Sequence, residues 1–219
     1  MKPSQSGMRY IAGFEYEQHH ITMDAQAQRK HTNRTRDNFT MAHHWITSPQ
    51  QAHELAAQRR AEFEAMREAL EFDGSRDDDT LDAWIETIAA PIIAAVDCKQ
   101  CANCCRSLDV CLIPSDVEKL SAGLLISPDE VMTRYVDQAA GEAQGEWALV
   151  PAHPCPFLNG NLCSIYEYRP HSCRVYPQLT PDFRYNIEDA IEGAFTCPII
   201  YNVLSELVEL VEPMPDDDE

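Results

Sequence analysis

Four cysteines in eight positions, in the segment CKQCANCC at residues 98–105, constrain this chain more than any other feature. Thiols this close together indicate two disulfides, a metal site, a redox relay or a chance grouping. The sequence contains nine cysteines, and an odd number excludes complete pairing into disulfides. Residues 1–30 contain no apolar block of signal-peptide length. We therefore expect a cytoplasmic protein, in a reducing compartment where clustered cysteines usually indicate metal or redox chemistry.

The charge of the chain narrows the range of partners. The formal net charge is -19, and a surface this acidic argues against nucleic acid and against an anionic membrane. The longest apolar run, IAAPIIAAV, has nine residues and is too short to span a bilayer. We therefore expect no nucleic acid and no membrane among the partners, but metal ions and a basic protein partner. The sequence does not reveal the oligomeric state.

Four segments are predicted along the chain. The first shows no sustained apolar period and contains five of the eight histidines, so we expect a loosely ordered basic extension. A helical segment, a cysteine-cluster metal-chelating domain and an acidic tail follow it. The predicted boundaries of the four segments are 1–47, 48–96, 97–211 and 212–219.

Local signals predict where the helices begin. Ser48-Pro49 is typical of a helix start, and a second helix leads directly to Cys98, with Pro91 expected to kink or restart it. Within the cysteine segment, short helices are predicted to start at Ser115 and Ser127. The predicted fold is therefore α+β and mainly helical: a small cysteine-rich domain with a short β-hairpin, preceded by two helices.

The spacing of the cysteines indicates metal ligation. C-x2-C, at which two thiolates from one turn can reach the same ion, occurs twice in succession at the start of the cluster. The same triple opens the cluster loop of bacterial ferredoxins. The ninth cysteine, Cys111, lies between apolar residues and is predicted only to pack. The eight candidate metal ligands are Cys98, Cys101, Cys104, Cys105, Cys155, Cys163, Cys173 and Cys197.

The number of metal sites stays open at this point. Eight thiolates are enough for two four-thiolate sites or for one cluster with spare thiols. Adjacent Cys104 and Cys105 point in different directions in most backbones, so one could serve each of two sites. Cys197 precedes a proline and is predicted to be the N-cap of the last helix, where the helix amides favour thiolate over thiol.

The predicted hairpin provides a test of shared ligation. A two-residue loop, Asn159-Gly160, would place Cys155 and Cys163 on opposite faces of the ribbon. A three-residue loop, from Asn159 to Asn161, would place both on one face. Shared ligation therefore predicts the three-residue loop.

Three stretches, CKQCANCC, CPFLNGNLCSIY and YRPHSCRVYP, resemble the CxxCxxCC cysteine-cluster family, also known as the YkgJ-type zinc- or iron-chelating domain. The similarity covers roughly residues 95–200. By position, the resemblance implies that seven of the candidate ligands are family cysteines and that Cys197 matches a late Cys-Pro of many members. Tyr166, Arg169 and Arg174 also match, and we expect Arg174 to offset the negative charge of the thiolates.

The predicted function is metal chelation by cysteine thiolates, with zinc or iron as the cofactor. In the first hypothesis the site is an iron or iron–sulfur centre with a redox role. A second hypothesis is a structural zinc site in an adaptor or binding module. The third is a protein-modifying enzyme, because the family also includes a flagellin lysine N-methylase. The same thiolates bind both metals, so the sequence does not distinguish zinc from iron.

Overall fold

The computed structural model describes residues 44–139, 147–151 and 153–211. Most of the predicted extension, with His19, His20 and His43, and the whole predicted acidic tail lie outside the described residues. Helices dominate the described part, and none of them is long and apolar enough to cross a membrane. The prediction of a mainly helical α+β fold with a short hairpin is confirmed.

The helices are α1 (Pro49–Glu71), α2 (Asp78–Ala95), α3 (Cys98–Cys101), α4 (Cys104–Ser107), α5 (Pro114–Leu124), α6 (Pro128–Tyr135), α7 (His171–Val175), α8 (Phe183–Ala194) and α9 (Pro198–Leu210), with a 3-10 turn at Tyr166–Tyr168. The strands are β1 (Cys111–Leu112), β2 (Val136–Asp137), β3 (Trp147–Leu149), β4 (Leu158–Asn159) and β5 (Leu162–Cys163).

Helices α1, α2, α8 and α9 share one apolar core, and we call them the helical bundle. α1 begins where predicted, because the Ser48 hydroxyl accepts a hydrogen bond from the Gln51 amide and Pro49 occupies the first turn. Its buried residues recur at helical spacing, so one face of the helix meets the core. They are Ala52, Ala56, Phe63, Met66 and Leu70.

α2 is a single helix that delivers the chain to the cysteine cluster. The Asp77 carboxylate caps it by accepting a hydrogen bond from the Thr80 amide. The helix continues beyond Pro91 rather than restarting there, although proline lacks the amide that would bond to the preceding turn. Buried residues lie on both sides of the proline, Ala89 before it and Ile92 after it, so the helix packs against the core throughout.

The helical bundle joins two parts of the chain that the sequence separates. α8 and α9 follow the cysteine segment, yet both pack against α1 and α2. Phe63 of α1, for example, meets Tyr201 of α9 edge-on, with ring centroids 6.2 Å apart. The first two helices therefore rely on the last two to cover their apolar faces.

The bundle also includes residues that precede α1. Trp45 and Ile46 pack against its core. The Asn202 side chain, 4% exposed, accepts a hydrogen bond from the Ile46 amide and donates one to the Ile46 carbonyl. These bonds satisfy a buried polar side chain. Trp45 and Ile46, which fall within the predicted extension, therefore contribute to the bundle.

Residues 97–182 lie between the two pairs of long helices, and we call them the cysteine lobe. Strands β1, β3 and β2 form a three-stranded antiparallel sheet in that order. α5 and α6 contribute to the small core beside this sheet. That core contains Leu112, Val117, Leu120, Val131, Leu149, Phe157 and Ile165.

Candidate metal centre

Two single-turn helices hold the first four cysteines. The Asp97 carboxylate caps α3 by accepting a hydrogen bond from the Lys99 amide at 2.9 Å. α3 ends at Ala102, whose φ of 50° lies in the left-handed region. This residue turns the chain, and α4 begins at Cys104. The four thiols therefore lie on two short helices joined by a tight turn.

Asn103 fastens this turn to the helical bundle. Its side-chain amide donates a hydrogen bond to the Thr196 carbonyl at 2.8 Å. The next residue, Cys197, is the N-cap of α9, as predicted, and is 7% exposed. The start of the last helix is thereby held close to the first cysteine cluster.

The hairpin turns over two residues, Gly160 and Asn161, and the predicted three-residue loop is wrong. Gly160 supplies the positive φ, 63°, that such a tight turn requires. The expectation that loop length decides whether Cys155 and Cys163 share a face of the ribbon fails, because Cys155 does not lie in a strand. Cys155 instead precedes β4, in a turn closed by a hydrogen bond from the Leu158 amide to the Cys155 carbonyl at 3.0 Å. Cys163 alone lies in the hairpin ladder.

Arg106 and Asn161 hold the hairpin loop against the first cluster. The Arg106 guanidinium donates hydrogen bonds to the carbonyls of Cys101 and Gly160, at 2.9 and 3.0 Å, and to the Asn161 side chain. Asn161 in turn donates to the Gln100 carbonyl at 2.8 Å. Neither role could be seen in the sequence, because no spacing signal links Arg106 to Gly160 or Asn161 to Gln100.

Asp116 fixes the short helix that carries Cys173. Its fully buried carboxylate accepts hydrogen bonds from the amides of Ile113 and His171, at 3.1 and 2.9 Å. The first bond caps α5, so this helix is capped by Asp116 and not by the predicted Ser115. The second bond holds the first residue of α7, which places Cys173 one turn away from a buried anchor.

All eight candidate ligands line a single cavity of about 270 Å³. Cys111 is not part of its wall; it lies half-buried in β1, where its carbonyl accepts a hydrogen bond from the Ser172 hydroxyl at 2.7 Å. Among the described residues, no histidine lines the cavity. His153 instead contacts Asp109, with 2.8 Å between ring nitrogen and carboxylate oxygen. The donor set of the cavity is therefore dominated by thiols.

Burial raises the pKa of most of these thiols. It is the first cause of the raised pKa of Cys98, Cys155 and Cys163. Burial also raises the pKa of Cys173 to about 12 and that of Cys197 to about 11. The amides of Ile199 and Ile200 at the start of α9 lower the pKa of Cys197, as expected for an N-cap, but burial outweighs them.

Cys104 and Cys105 behave as a pair that shares one proton. Their sulfur atoms lie 4.0 Å apart. The pKa of Cys105 is lowered to about 6, first because Cys104 donates a hydrogen bond to its thiolate. The same bond is the first cause of the raised pKa of Cys104. One thiol of the pair therefore loses its proton readily. The second loses its proton only against repulsion from the first thiolate, as expected for two coupled acids.

Arg169 is a cation that lowers the pKa of several thiols in the cavity. Its guanidinium carbon lies 3.5 Å from the centroid of the Tyr166 ring, and its Nε donates a hydrogen bond to the Tyr166 carbonyl at 2.8 Å. Arg174, the predicted counter-charge, also lines the cavity, and the charge of Arg106 lowers the pKa of Cys105, but the charge of Arg169 lowers the pKa of four thiols. The thiols affected are Cys98, Cys105, Cys163 and Cys173.

The thiols share a cavity without meeting at one point. Within the described residues, no three cysteine, histidine, aspartate or glutamate side chains are close enough together to form a complete ion site. The 4.0 Å between the sulfurs of Cys104 and Cys105 is near the roughly 3.8 Å that separates two thiolates on one tetrahedral zinc ion. Eight thiols without an imidazole are a donor set that suits zinc or iron.

Comparison with known families agrees with this donor set. Residues 97–198 match the model of the CxxCxxCC family, which is described as a "putative zinc- or iron-chelating domain". The match includes all nine cysteines and a little under half of the chain, and it leaves α1, α2 and most of α9 outside. No curated protein and no solved structure matches the chain. The resemblance seen in the sequence is confirmed: residues 97–198 match the model of the CxxCxxCC family.

Proposed function

We propose that the cysteine lobe binds zinc or iron through the eight thiols of its cavity. The observation that carries the proposal is their convergence: cysteines from α3, α4, the turn before β4, β5, α7 and the N-cap of α9 line one cavity. Cys111, the ninth cysteine, packs elsewhere. Cysteines that acted only as small apolar side chains would have no reason to line one cavity together.

The cavity is large enough to hold an iron–sulfur centre, which needs more room between its cysteines than a single metal ion. Thiolates close around a zinc ion at about 2.3 Å, so a four-thiolate zinc site needs almost no internal space. An iron–sulfur cluster places several iron and sulfide atoms between its cysteines. The cavity measures about 270 Å³, whereas a single water needs only about 10–15 Å³. Such a centre would supply electron transfer, which makes a redox role our first candidate.

The chain's own cations support a site of many thiolates. Four thiolates around a divalent ion leave a net charge of about minus two. Arg169 lowers the pKa of thiols in the cavity, and Arg106 lowers that of Cys105, so both stabilise the charged form. We further propose that the protein works in the reducing cytosol, since free thiols must survive until metal binds. A basic protein partner would complement the net charge of -19.

A structural zinc site in a binding module is the second candidate. The small core of the lobe supports it, because a domain with little apolar burial commonly needs a metal to fold. In this case the bound metal would have no redox role, and the lobe would present its surface to a partner.

Anaerobic purification, elemental analysis and an absorption spectrum test the proposal. We expect tightly held zinc or iron, with visible sulfur-to-iron absorption if the metal is an iron–sulfur centre. Cys163→Ala should lose metal, whereas the matched control Cys111→Ala should retain it. Metal-free protein with nine freely titrating thiols would contradict the proposal.

A further inference from the structure

The lysines and arginines of the described residues fall into two classes by their ion pairs. Acidic residues outnumber lysine and arginine by 36 to 17 in this chain, so a carboxylate partner is seldom far from a basic side chain. Away from the cysteine cavity, every lysine and arginine that the structure describes forms an ion pair with a carboxylate. These residues are Arg59, Arg60, Arg67, Arg76, Lys119, Arg134 and Arg184.

The cations without a carboxylate partner in the described part of the chain all lie at the cavity. They are Lys99, Arg106, Arg169 and Arg174. Arg106 has a structural role, because its guanidinium donates to three acceptors and joins the hairpin to the first cluster. The other three line the cavity wall. Lys99 and Arg174 are exposed and Arg169 is half-buried, so the opening of the cavity is positively charged.

Tyr166 brings two of these cations together. The Lys99 Nζ lies 4.9 Å from the centroid of the Tyr166 ring, and the Arg169 guanidinium carbon lies 3.5 Å from it. Each contact is favourable by itself, but two positive charges at one ring repel each other unless negative charge lies nearby. The Nε of Arg169 bonds to the Tyr166 carbonyl, and its two terminal nitrogen atoms have no hydrogen-bond partner among the described residues.

The cavity itself supplies only part of the negative charge that these cations attract. A single site of four thiolates and a divalent ion has a net charge of about minus two, which offsets about two of the four cations. Asp109 is the one carboxylate among the described residues of the wall, and it contacts His153. Positive charge therefore remains at the opening after a metal site has formed.

The rest of the wall suits a small organic molecule. Ligand cavities are mostly apolar, with a few polar groups that fix the orientation of the ligand. A single metal ion, at about 2.3 Å from its thiolates, fills little of a volume of about 270 Å³. Guanidinium groups bind carboxylates and phosphates through pairs of parallel hydrogen bonds. The apolar part of the wall includes Val96, Leu149, Phe157, Ile165 and Ile199.

We infer that the cavity binds a small organic anion, with its carboxylate or phosphate group held by Lys99 and Arg169 and its apolar part against the cavity wall. The assignment rests on the proposed function, since the ligand would lie beside the bound metal. Tyr166 is a positioning residue that holds both cations at the opening. The cations would select an anion over a neutral molecule of the same shape, although the whole chain is acidic.

The first test compares an anion with its neutral counterpart. The full-length protein is reduced, stripped of metal and loaded with Co²⁺, whose thiolate absorption confirms metal binding in the same sample. Calorimetric titrations then use benzoate, phenyl phosphate and benzamide, which has nearly the shape of benzoate without its charge. We expect at least one anion to bind about tenfold or more tightly than benzamide, and the preferred anion identifies the group that the site recognises.

The second test removes the cations and the ring that holds them. Lys99→Gln and Arg169→Gln should each weaken binding of the preferred anion by about tenfold, because each removes a charged donor. Arg134→Gln removes the same charge from α6, outside the cavity, and should leave the affinity unchanged. Tyr166→Leu should weaken binding although no charge is lost, whereas Tyr166→Phe keeps the ring and should restore it.

Three results would overturn the inference. If Co²⁺ binds but neither anion binds more tightly than benzamide, the anion site is wrong and the proposed function stands. If the anions bind only to metal-free protein, the cations serve the thiolates alone. If the Arg134 variant loses as much affinity as the Lys99 variant, net charge rather than a built site attracts the anion. Absence of cobalt–thiolate absorption would instead overturn the proposed function and, with it, the placement of the ligand beside a metal.

Discussion

The helical bundle and the cysteine lobe bury very different amounts of apolar surface. Within the described residues, 23 buried residues form the core of the bundle and seven form that of the lobe. The bundle helices run for 12 to 23 residues, whereas α3 and α4 have four residues each. Helices of one turn are unstable in isolation, because the cost of nucleation exceeds the gain from so few hydrogen bonds. The two regions must therefore be stabilised in different ways.

The two regions also differ in how much they depend on polar contacts. In the bundle, apolar burial at roughly 25 cal/mol per Å² supplies most of the stabilisation. In the lobe, individual polar side chains position each short element: Asn103 fastens the first cluster, Arg106 the hairpin and Asp116 the helix α7. Each such bond contributes only about 1 kcal/mol net, so the lobe depends on their number and, by our proposal, on metal.

Removal of metal should have the largest effect and should separate the two regions. We expect chelation to destabilise the lobe by several kcal/mol, since binding of a structural zinc contributes about 10 kcal/mol or more to folding. Hydrogen exchange should become much faster for amides of α3, α4 and α7. Amides of α1, α2, α8 and most of α9 should change little, because their core meets the cavity mainly at Val96, Cys197 and Ile199. Equal loss of protection in both regions would contradict the comparison.

Asp116→Ala should have the next largest effect, confined to the lobe. The substitution leaves the part-buried amides of Ile113 and His171 without their acceptor, at a cost of about 1–3 kcal/mol for each. Because α7 then loses its anchor, metal content should fall with stability. Denaturant unfolding and elemental analysis measure the two effects. Glu118→Ala, an exposed change in the same helix, is the control and should be near neutral.

Asn202→Ala should weaken the bundle while leaving the lobe intact. It removes both hydrogen bonds to Ile46 from a buried site, at a cost of about 1–3 kcal/mol. A chain that begins at His44 should keep wild-type stability. A chain that begins at Ser48 should lose about as much as the substitution or more, because Trp45 and Ile46 no longer pack. Thermal unfolding and elemental analysis measure the two effects. Loss of metal from Asn202→Ala would show that the cysteine lobe depends on the stability of the helical bundle.

Local signals allowed part of this fold to be predicted from sequence. Ser48 and Ser127 cap their helices as expected, since an N-cap depends only on residues within one turn. The double C-x2-C spacing identified the first cluster for the same reason: its thiols are neighbours along the chain. Cys197 was identified as an N-cap because a proline follows it.

Non-local contacts could not be predicted in this way. The pairing of Asn161 with the Gln100 carbonyl and that of Asp116 with the His171 amide join residues that no spacing connects. The hairpin prediction failed because the strands have only two residues, which is too short for alternation to decide which face a cysteine occupies. The packing of α8 and α9 against α1 and α2 could not be predicted either, because it depends on the path that the chain takes through the lobe.

Arg169→Gln should have the smallest effect, visible only in the pH dependence of metal loading. Metal displaces protons from the thiols, so loading falls as pH falls. Arg169 lowers the pKa of Cys98, Cys105, Cys163 and Cys173, and its removal should raise them. The midpoint of Co²⁺ loading should therefore move to higher pH, by less than about one unit, which corresponds to less than about 1.4 kcal/mol.

The matched control for this shift is Arg174→Gln, which removes the same charge from the same cavity wall. If position relative to the thiols decides the effect, the Arg174 variant should load with a midpoint close to that of the wild type. Tyr166→Leu should reproduce part of the Arg169→Gln shift, because it removes the ring that lies 3.5 Å from the guanidinium and helps to orient it. Equal shifts for the two arginine variants would show that net charge, rather than the placement of Arg169, controls the thiols of the lobe.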